Sequence, residues 1–106
     1  MTTENEEPRY VISIAAKILG IRTYTLRYYE KIGIVEPQRS HGNIRLYSEK
    51  DIARLRQIKA LMDDLGINLA GAEIILRMAQ RVTELQQDVE GLQSEVKRLK
   101  TKKKQP

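Results

Sequence analysis

The chain contains no cysteine, no tryptophan and no phenylalanine, and only one histidine. Without cysteine it can form no disulfide, no thiolate metal site and no redox couple, which suits a reducing compartment. Without the two largest apolar aromatics, its core must come from Ile, Leu, Val, Ala and Met, helped by five tyrosines. His41 has no cysteine to share a metal with, and a protein metal site draws on several ligands. No motif sets a nucleophile beside a base. The carboxylates do not pair either: Asp63 and Asp64 are adjacent and leave a helix on different sides. A non-enzyme with no cofactor and no metal is expected. Long hydrophobic runs are missing too. The most apolar stretch, residues 67–76, carries Asn68 and Glu73 and falls well short of the ~20 residues that span a bilayer. The opening MTTENEE is polar and acidic, the reverse of a signal peptide. These absences point to a soluble, cytoplasmic protein without a membrane partner. At 106 residues the chain has room for one compact domain and an extension, and none is expected for a small-molecule effector domain.

What the chain does have is positive charge, unevenly spread. The formal net charge is +5. Between Arg9 and Lys59 stand eleven lysines and arginines against four acids, Glu30, Glu36, Glu49 and Asp51. A folded region with such an excess attracts polyanions, although ordinary solubility accounts for a charged surface equally well.

Local signals divide the chain. Residues 1–8 are polar, end at Pro8, and are read as a disordered segment. Tyr10-Val11-Ile12 is a short apolar run expected to be extended. Ser13 is placed to cap a helix over about 14–19, and Gly20 is a left-handed stop. Thr23 is placed to cap a second helix over about 24–31, which ends before Gly33. Next, Pro37-Gln38-Arg39-Ser40 and Ile44-Arg45-Leu46-Tyr47 flank the turn residues His41-Gly42-Asn43 and predict a small β-hairpin with a basic residue on each arm. Ser48 followed by Asp51 is a capping-box pattern. Behind it Ile52, Leu55, Ile58, Ala60, Leu61, Met62 and Leu65 recur at helical spacing up to Gly66. Asn68 can cap a last helix that meets no stop before the basic tail at 101–106.

That last helix carries an unbroken heptad. Ile75, Val82, Val89 and Val96 fall at position a, and Met78, Leu85, Leu92 and Leu99 at position d. β-branched residues at a with Leu at d favour two strands. At ~1.5 Å per residue the helix is a rod roughly 50 Å long. Its apolar stripe would stay wet in isolation. It must fold back on its own domain or pair with a second copy, and nothing N-terminal offers a matching stripe of that length. The spacing leaves parallel and antiparallel pairing open.

Two short helices with Gly20 at the corner match a helix-turn-helix. Arg22, Thr23 and Tyr24 stand at the start of the second helix, where a recognition helix meets base edges. Arg27 lies one turn further, placed for a phosphate or a guanine edge, with Tyr28 beside it. A hairpin bearing Arg39 and Arg45 follows. Any one of these arginines could be an ordinary solvated residue, but their concentration points to DNA. The expected organisation is mainly α: a disordered segment 1–8, a winged helix-turn-helix over 9–74, a two-stranded coiled-coil dimerisation helix over 75–100, and a basic tail.

The stretches TLRYYEKIGIVEP and RLYSEKDIARL, in that order, resemble the MerR family of bacterial transcription regulators, and the resemblance extends over about residues 9–100. Within that family, YVISIAAKILG and DDLGINLAGAEIIL are most similar to the heat-shock repressors of the HspR type. The resemblance implies a homodimer on an inverted repeat of double-stranded DNA in the bacterial nucleoid, and repression of chaperone genes. It also admits a chaperone co-repressor. It implies that Arg22, Thr23, Tyr24 and Arg27 face the major groove, that Tyr28 touches phosphate, and that Arg45 and Tyr47 contact phosphate from the wing. Core packing is the competing reading for Tyr47, as it is the preferred one for Tyr29. Lys17, Arg39 and His41 complete the expected DNA-contacting set, His41 being by default a solvated wing-tip residue. The sequence departs from the family pattern in Asn43-Ile44, where many relatives have Gly-Tyr, and in the acid Asp63, where many carry a base. Two further readings stand beside the repressor: an activator or architectural protein whose product is distorted DNA, and a coiled-coil adaptor whose basic head docks an acidic protein.

Overall fold

The computed structural model of the protein describes residues 4–104. The chain falls into two compact units, one ending at Glu73 and the other beginning at Ile74. In order, its elements are β1 (Tyr10–Val11), α1 (Ile12–Leu19), α2 (Thr23–Lys31), β2 (Gln38–Arg39), β3 (Arg45–Tyr47), α3 (Glu49–Leu65) and α4 (Leu69–Lys104). This is the mainly helical, winged helix-turn-helix architecture expected, with a long final helix.

In the first unit, α1, α2 and α3 close over one small core. The buried apolar side chains are Ala15, Ala16 and Leu19 of α1 with Leu26, Ile34, Val35, Tyr47, Ile52, Leu55, Ile58 and Ala72. The two alanines let α1 approach its neighbours closely, which suits a core that lacks Phe and Trp. Gly20 ends α1 in the left-handed conformation at φ 68°, and its amide and that of Ile21 close back on Lys17 and Ala16. Gly66 ends α3 in the same way at φ 66°. The capping box forms in both directions: Asp51 N–H donates to Ser48 Oγ at 3.1 Å, and Ser48 N–H donates to Asp51 Oδ2 at 2.9 Å. Asn68 caps α4, accepting from Gly71 N–H at 2.8 Å.

Other local expectations need correction. Neither Ser13 nor Thr23 caps a helix. Val11 is paired to Leu46 in the sheet, so α1 springs straight from the strand at Ile12, with Val11 as its N-cap and Ser13 already inside the first turn. Arg22 holds the extended conformation that precedes α2, which leaves Thr23 as the first helical residue. Residues 4–6, expected to be disordered, form a 3-10 turn. It is tied down by an ion pair between Glu6 and Lys50 at 3.4 Å and by Gln38 Nε2 donating to the Glu6 carbonyl at 3.4 Å. The tail is helical through Lys104, as lysine's helix propensity and the negative end of the helix dipole favour. The remaining expectations for 1–3 and 105–106 lie outside the described residues.

The wing is larger than a hairpin. Strand order is β1-β3-β2, both pairings antiparallel. Its tip turns through Asn43, whose φ of 61° is one that asparagine tolerates, with Asn43 N–H donating to the Ser40 carbonyl at 2.9 Å. Strand β1 stitches the start of the chain to the wing through Tyr10↔Tyr47 and Val11↔Leu46.

Candidate nucleic-acid interface

Helix α2 buries Leu26 completely and turns its other face outward. Tyr24 and Tyr28, one turn apart, are 69% and 53% exposed. Arg22 and Arg27 are exposed with them, Thr23 is half-buried, and Lys17 is exposed in the last turn of α1. Among the described residues, Lys17, Arg22 and Arg27 enter no ion pair. The first turn of α2 has no acidic residue and no side-chain cap, so the positive end of its dipole is not neutralised locally. The short helix pair therefore carries five exposed donors and cations, Lys17, Arg22, Tyr24, Arg27 and Tyr28, two of them aromatic.

The wing arginines are held differently. Arg39 and Arg45 are cross-strand neighbours, and both reach back to Glu30 near the end of α2. Arg39 Nη2 donates to Glu30 Oε1 at 3.0 Å and Arg45 Nε donates to Glu30 Oε2. Arg39 Nη1 also donates to the Asn43 carbonyl at 3.1 Å, bracing the turn. Burial pushes the Glu30 carboxyl up, but the Arg45 hydrogen bond and the charges of Arg45 and Arg39 outweigh it and hold the group below its ordinary value. Arg45 is raised in turn, chiefly by its bond to Glu30. Both arginine side chains remain partly accessible, at 38% and 30% exposure. His41 is exposed at the wing tip.

Tyr47 is corrected from phosphate contact to core. It is 0% exposed, and a ring sealed from solvent cannot touch DNA. Its hydroxyl finds no hydrogen-bond partner among the described residues, and burial followed by the nearby Glu30 charge pushes its pKa up to about 12. Tyr29 is half-buried, its ring 6.4 Å from that of Tyr28. Tyr10, which attracted no role from the sequence, donates its hydroxyl to Glu49 at the start of α3.

In the second unit the eight heptad residues lie along α4. Ile75, Met78, Val82, Leu85, Val89, Leu92, Val96 and Leu99 are all between 39% and 66% exposed. The ion pairs Arg81–Glu84 at 3.3 Å and Arg98–Glu95 bind residues of α4 to one another on its charged faces.

The profile of the MerR HTH family of regulatory proteins matches residues 10–79. The chain belongs to the MerR family. HspR, named as a heat shock protein of Streptomyces coelicolor, is 47% identical over 81 residues, which are 76% of this chain and 54% of HspR. The chain thus spans about half the length of that relative. A MerR-family transcriptional regulator from Bacillus cereus has a crystal structure that matches with a TM-score of 0.60 at 26% identity, covering 87% of this chain and 72% of the other. The crystal structure of HiNmlR, a MerR-family regulator lacking the sensor domain and bound to promoter DNA, shares the fold with a TM-score of 0.58 at 23% identity, covering 87% of this chain and 76% of the other. The family is one of regulatory proteins and the Bacillus cereus relative is a transcriptional regulator, which bears out the expectation of a non-enzyme.

Two residues of this MerR-family chain escaped the sequence reading. Arg54 joins α3 to the loop and to the start of α4, donating from Nε to the Ile34 carbonyl at 3.4 Å and pairing with Glu73 at 3.7 Å. Glu30 was counted only as one of four acids. The signal for it was present: a hairpin with one arginine on each arm sets like charges opposite each other, which is unfavourable without an anion between them.

Proposed function

We propose that the chain is a sequence-specific DNA-binding repressor of heat-shock chaperone genes, acting in the bacterial cytoplasm as a homodimer on an inverted-repeat operator. The observation that carries the DNA reading is the exposed face of α2, where Arg22, Tyr24, Arg27 and Tyr28 stand without ion-pair partners among the described residues and beside a basic wing. In this reading Arg22, Thr23, Tyr24 and Arg27 read base edges, while Tyr28, Lys17, His41 and the accessible edges of Arg39 and Arg45 set register on phosphates. The likeness to HspR supports the heat-shock target, and the promoter-DNA complex of HiNmlR supports the use of this fold on DNA. The exposed stripe from Ile75 to Leu99 supports self-pairing, because an apolar row of that length loses its hydration cost when a second copy covers it. A two-fold protein then calls for two-fold DNA. A chaperone co-repressor belongs to the same reading as a further partner.

Selection from random duplex DNA with the purified chain, at one fixed near-physiological salt, tests this. An inverted repeat with constant half-site spacing is expected, and Arg22→Ala should alter the enriched half-site rather than weaken all sequences alike. Enrichment of no sequence, with binding confined to low salt, would overturn the proposal.

A further inference from the structure

Arg39 and Arg45 face each other across β2 and β3, and Glu30 on α2 is the anion that separates them. One carboxylate oxygen takes Arg39 at 3.0 Å and the other takes Arg45. The side chain of Glu30 is 22% exposed, so the carboxylate sits at the join between the two parts of the surface assigned to DNA. It has two opposed effects there. It fixes where both guanidiniums stand relative to α2. It also cancels one of their two charges, and a phosphate approaching either arginine must compete with it. The contrast with Lys17, Arg22 and Arg27 is informative, because those cations have no ion-pair partner among the described residues. The helices thus offer unrestrained charge, and the wing offers restrained charge.

We propose that Glu30 is a positioning residue that raises discrimination between DNA sequences at the expense of non-specific affinity: by clamping Arg39 and Arg45 on one carboxylate it keeps the wing in register with α2 and withholds one cation from indiscriminate phosphate contact. This rests on the DNA-binding reading above and deepens it. On a duplex that α2 fits, the clamped guanidiniums already stand where the backbone runs, and their remaining N–H groups meet it without loss of order. On an arbitrary duplex the clamp prevents the wing from rearranging to reach phosphates wherever they lie.

The test compares wild type, Glu30→Gln and Glu30→Asp by fluorescence anisotropy on the selected duplex and on a random duplex through a salt series. Circular dichroism checks that each variant is folded. The wild-type protein is expected to prefer the selected duplex, and if it does not, the DNA reading and the role of Glu30 fall together. Glu30→Gln releases one cation. Its salt slope on random DNA should steepen by about 0.9, equivalent to about eightfold tighter binding at about 0.1 M salt relative to about 1 M. Affinity for the selected duplex should rise less, so the ratio between the two falls. Glu30→Asp keeps the charge but is one methylene too short to hold both guanidiniums. Its slope should stay that of wild type while its discrimination ratio falls. A residue of merely structural importance would weaken both duplexes together and leave the slope alone. With wild-type preference intact, an unchanged slope in Glu30→Gln or an undiminished ratio in Glu30→Asp overturns the proposal without touching the DNA reading. The Asp variant decides the positioning role even if the Gln variant folds poorly.

Discussion

Replacing Tyr47 with phenylalanine removes a single oxygen from the centre of the first unit. That oxygen is sealed from solvent and has no hydrogen-bond partner among the described residues, and the ring around it is 0% exposed. Burying a hydroxyl without a partner costs about 1–3 kcal/mol by protein mutational data. The small void left behind offsets part of the gain, so Tyr47→Phe should stabilise the fold by about 1 kcal/mol. For a domain of this size that is a rise in Tm of about 4–8 °C. The melt is followed by circular dichroism at one protein concentration, because self-association of the kind proposed would make the Tm depend on it. Affinity for DNA should not change. Alkaline pH supplies an independent check. The folded hydroxyl titrates at about 12 against an ordinary 10.0. Keeping it neutral therefore costs nothing below the unfolded value, and stability is lost as pH rises from there towards the folded one. The Phe variant should lack that share of the alkaline loss. A variant that melts lower than wild type would show that the hydroxyl is satisfied in solution. Unchanged melting with about tenfold weaker DNA binding would show that it reaches a phosphate. Either result refutes the reasoning.

Three further outcomes are expected. Leu85→Glu puts a charge in the middle of the α4 stripe and should convert dimer to monomer in sedimentation velocity, with loss of operator affinity and retention of the circular dichroism of the first unit. Ser48→Ala removes one half of a formed capping box and should cost about 0.5–2 kcal/mol, read as a lower urea midpoint with the m-value unchanged. Gly66→Ala meets no neighbouring atom within 4 Å, so its cost is conformational alone. At φ +66° that is about 1–2 kcal/mol, measured in the same urea titration.

Much of the local structure could be read from short windows of sequence. The glycine stops at Gly20 and Gly66, the capping box of Ser48 and Asp51, the Asn68 cap and the turn around Asn43 are each decided within five or so residues. The resemblance carried by LRYYE and RLYS was likewise legible, and the match of the family profile to residues 10–79 confirmed it. Ser13 and Thr23 were misjudged for a related reason. Each has the chemistry of a cap, but the start of α1 was set by the pairing of Val11 with Leu46, a partner far along the chain, and at α2 the extended backbone of Arg22 takes the cap position one residue earlier. Residues 4–6 were misjudged because Lys50, which anchors Glu6, is equally remote.

The wing shows most clearly where local reasoning stops. Its turn, its two arms and its two arginines could be read from residues 37–47. Its third strand could not, since β1 lies near the start of the chain. The family resemblance implied a phosphate contact for both Arg45 and Tyr47 and left core packing open for Tyr47, and burial decided between the two readings. The sequence by itself determined the helical elements and their stops, the hairpin, the excess of positive charge and the heptad stripe, because composition and short-range periodicity dictate these directly. Only the tertiary structure decided that Tyr47 is core, that β1 completes the wing, and that Arg39 and Arg45 share Glu30. Burial and ion pairing are set by which surfaces meet, and that depends on how the whole chain returns on itself in space.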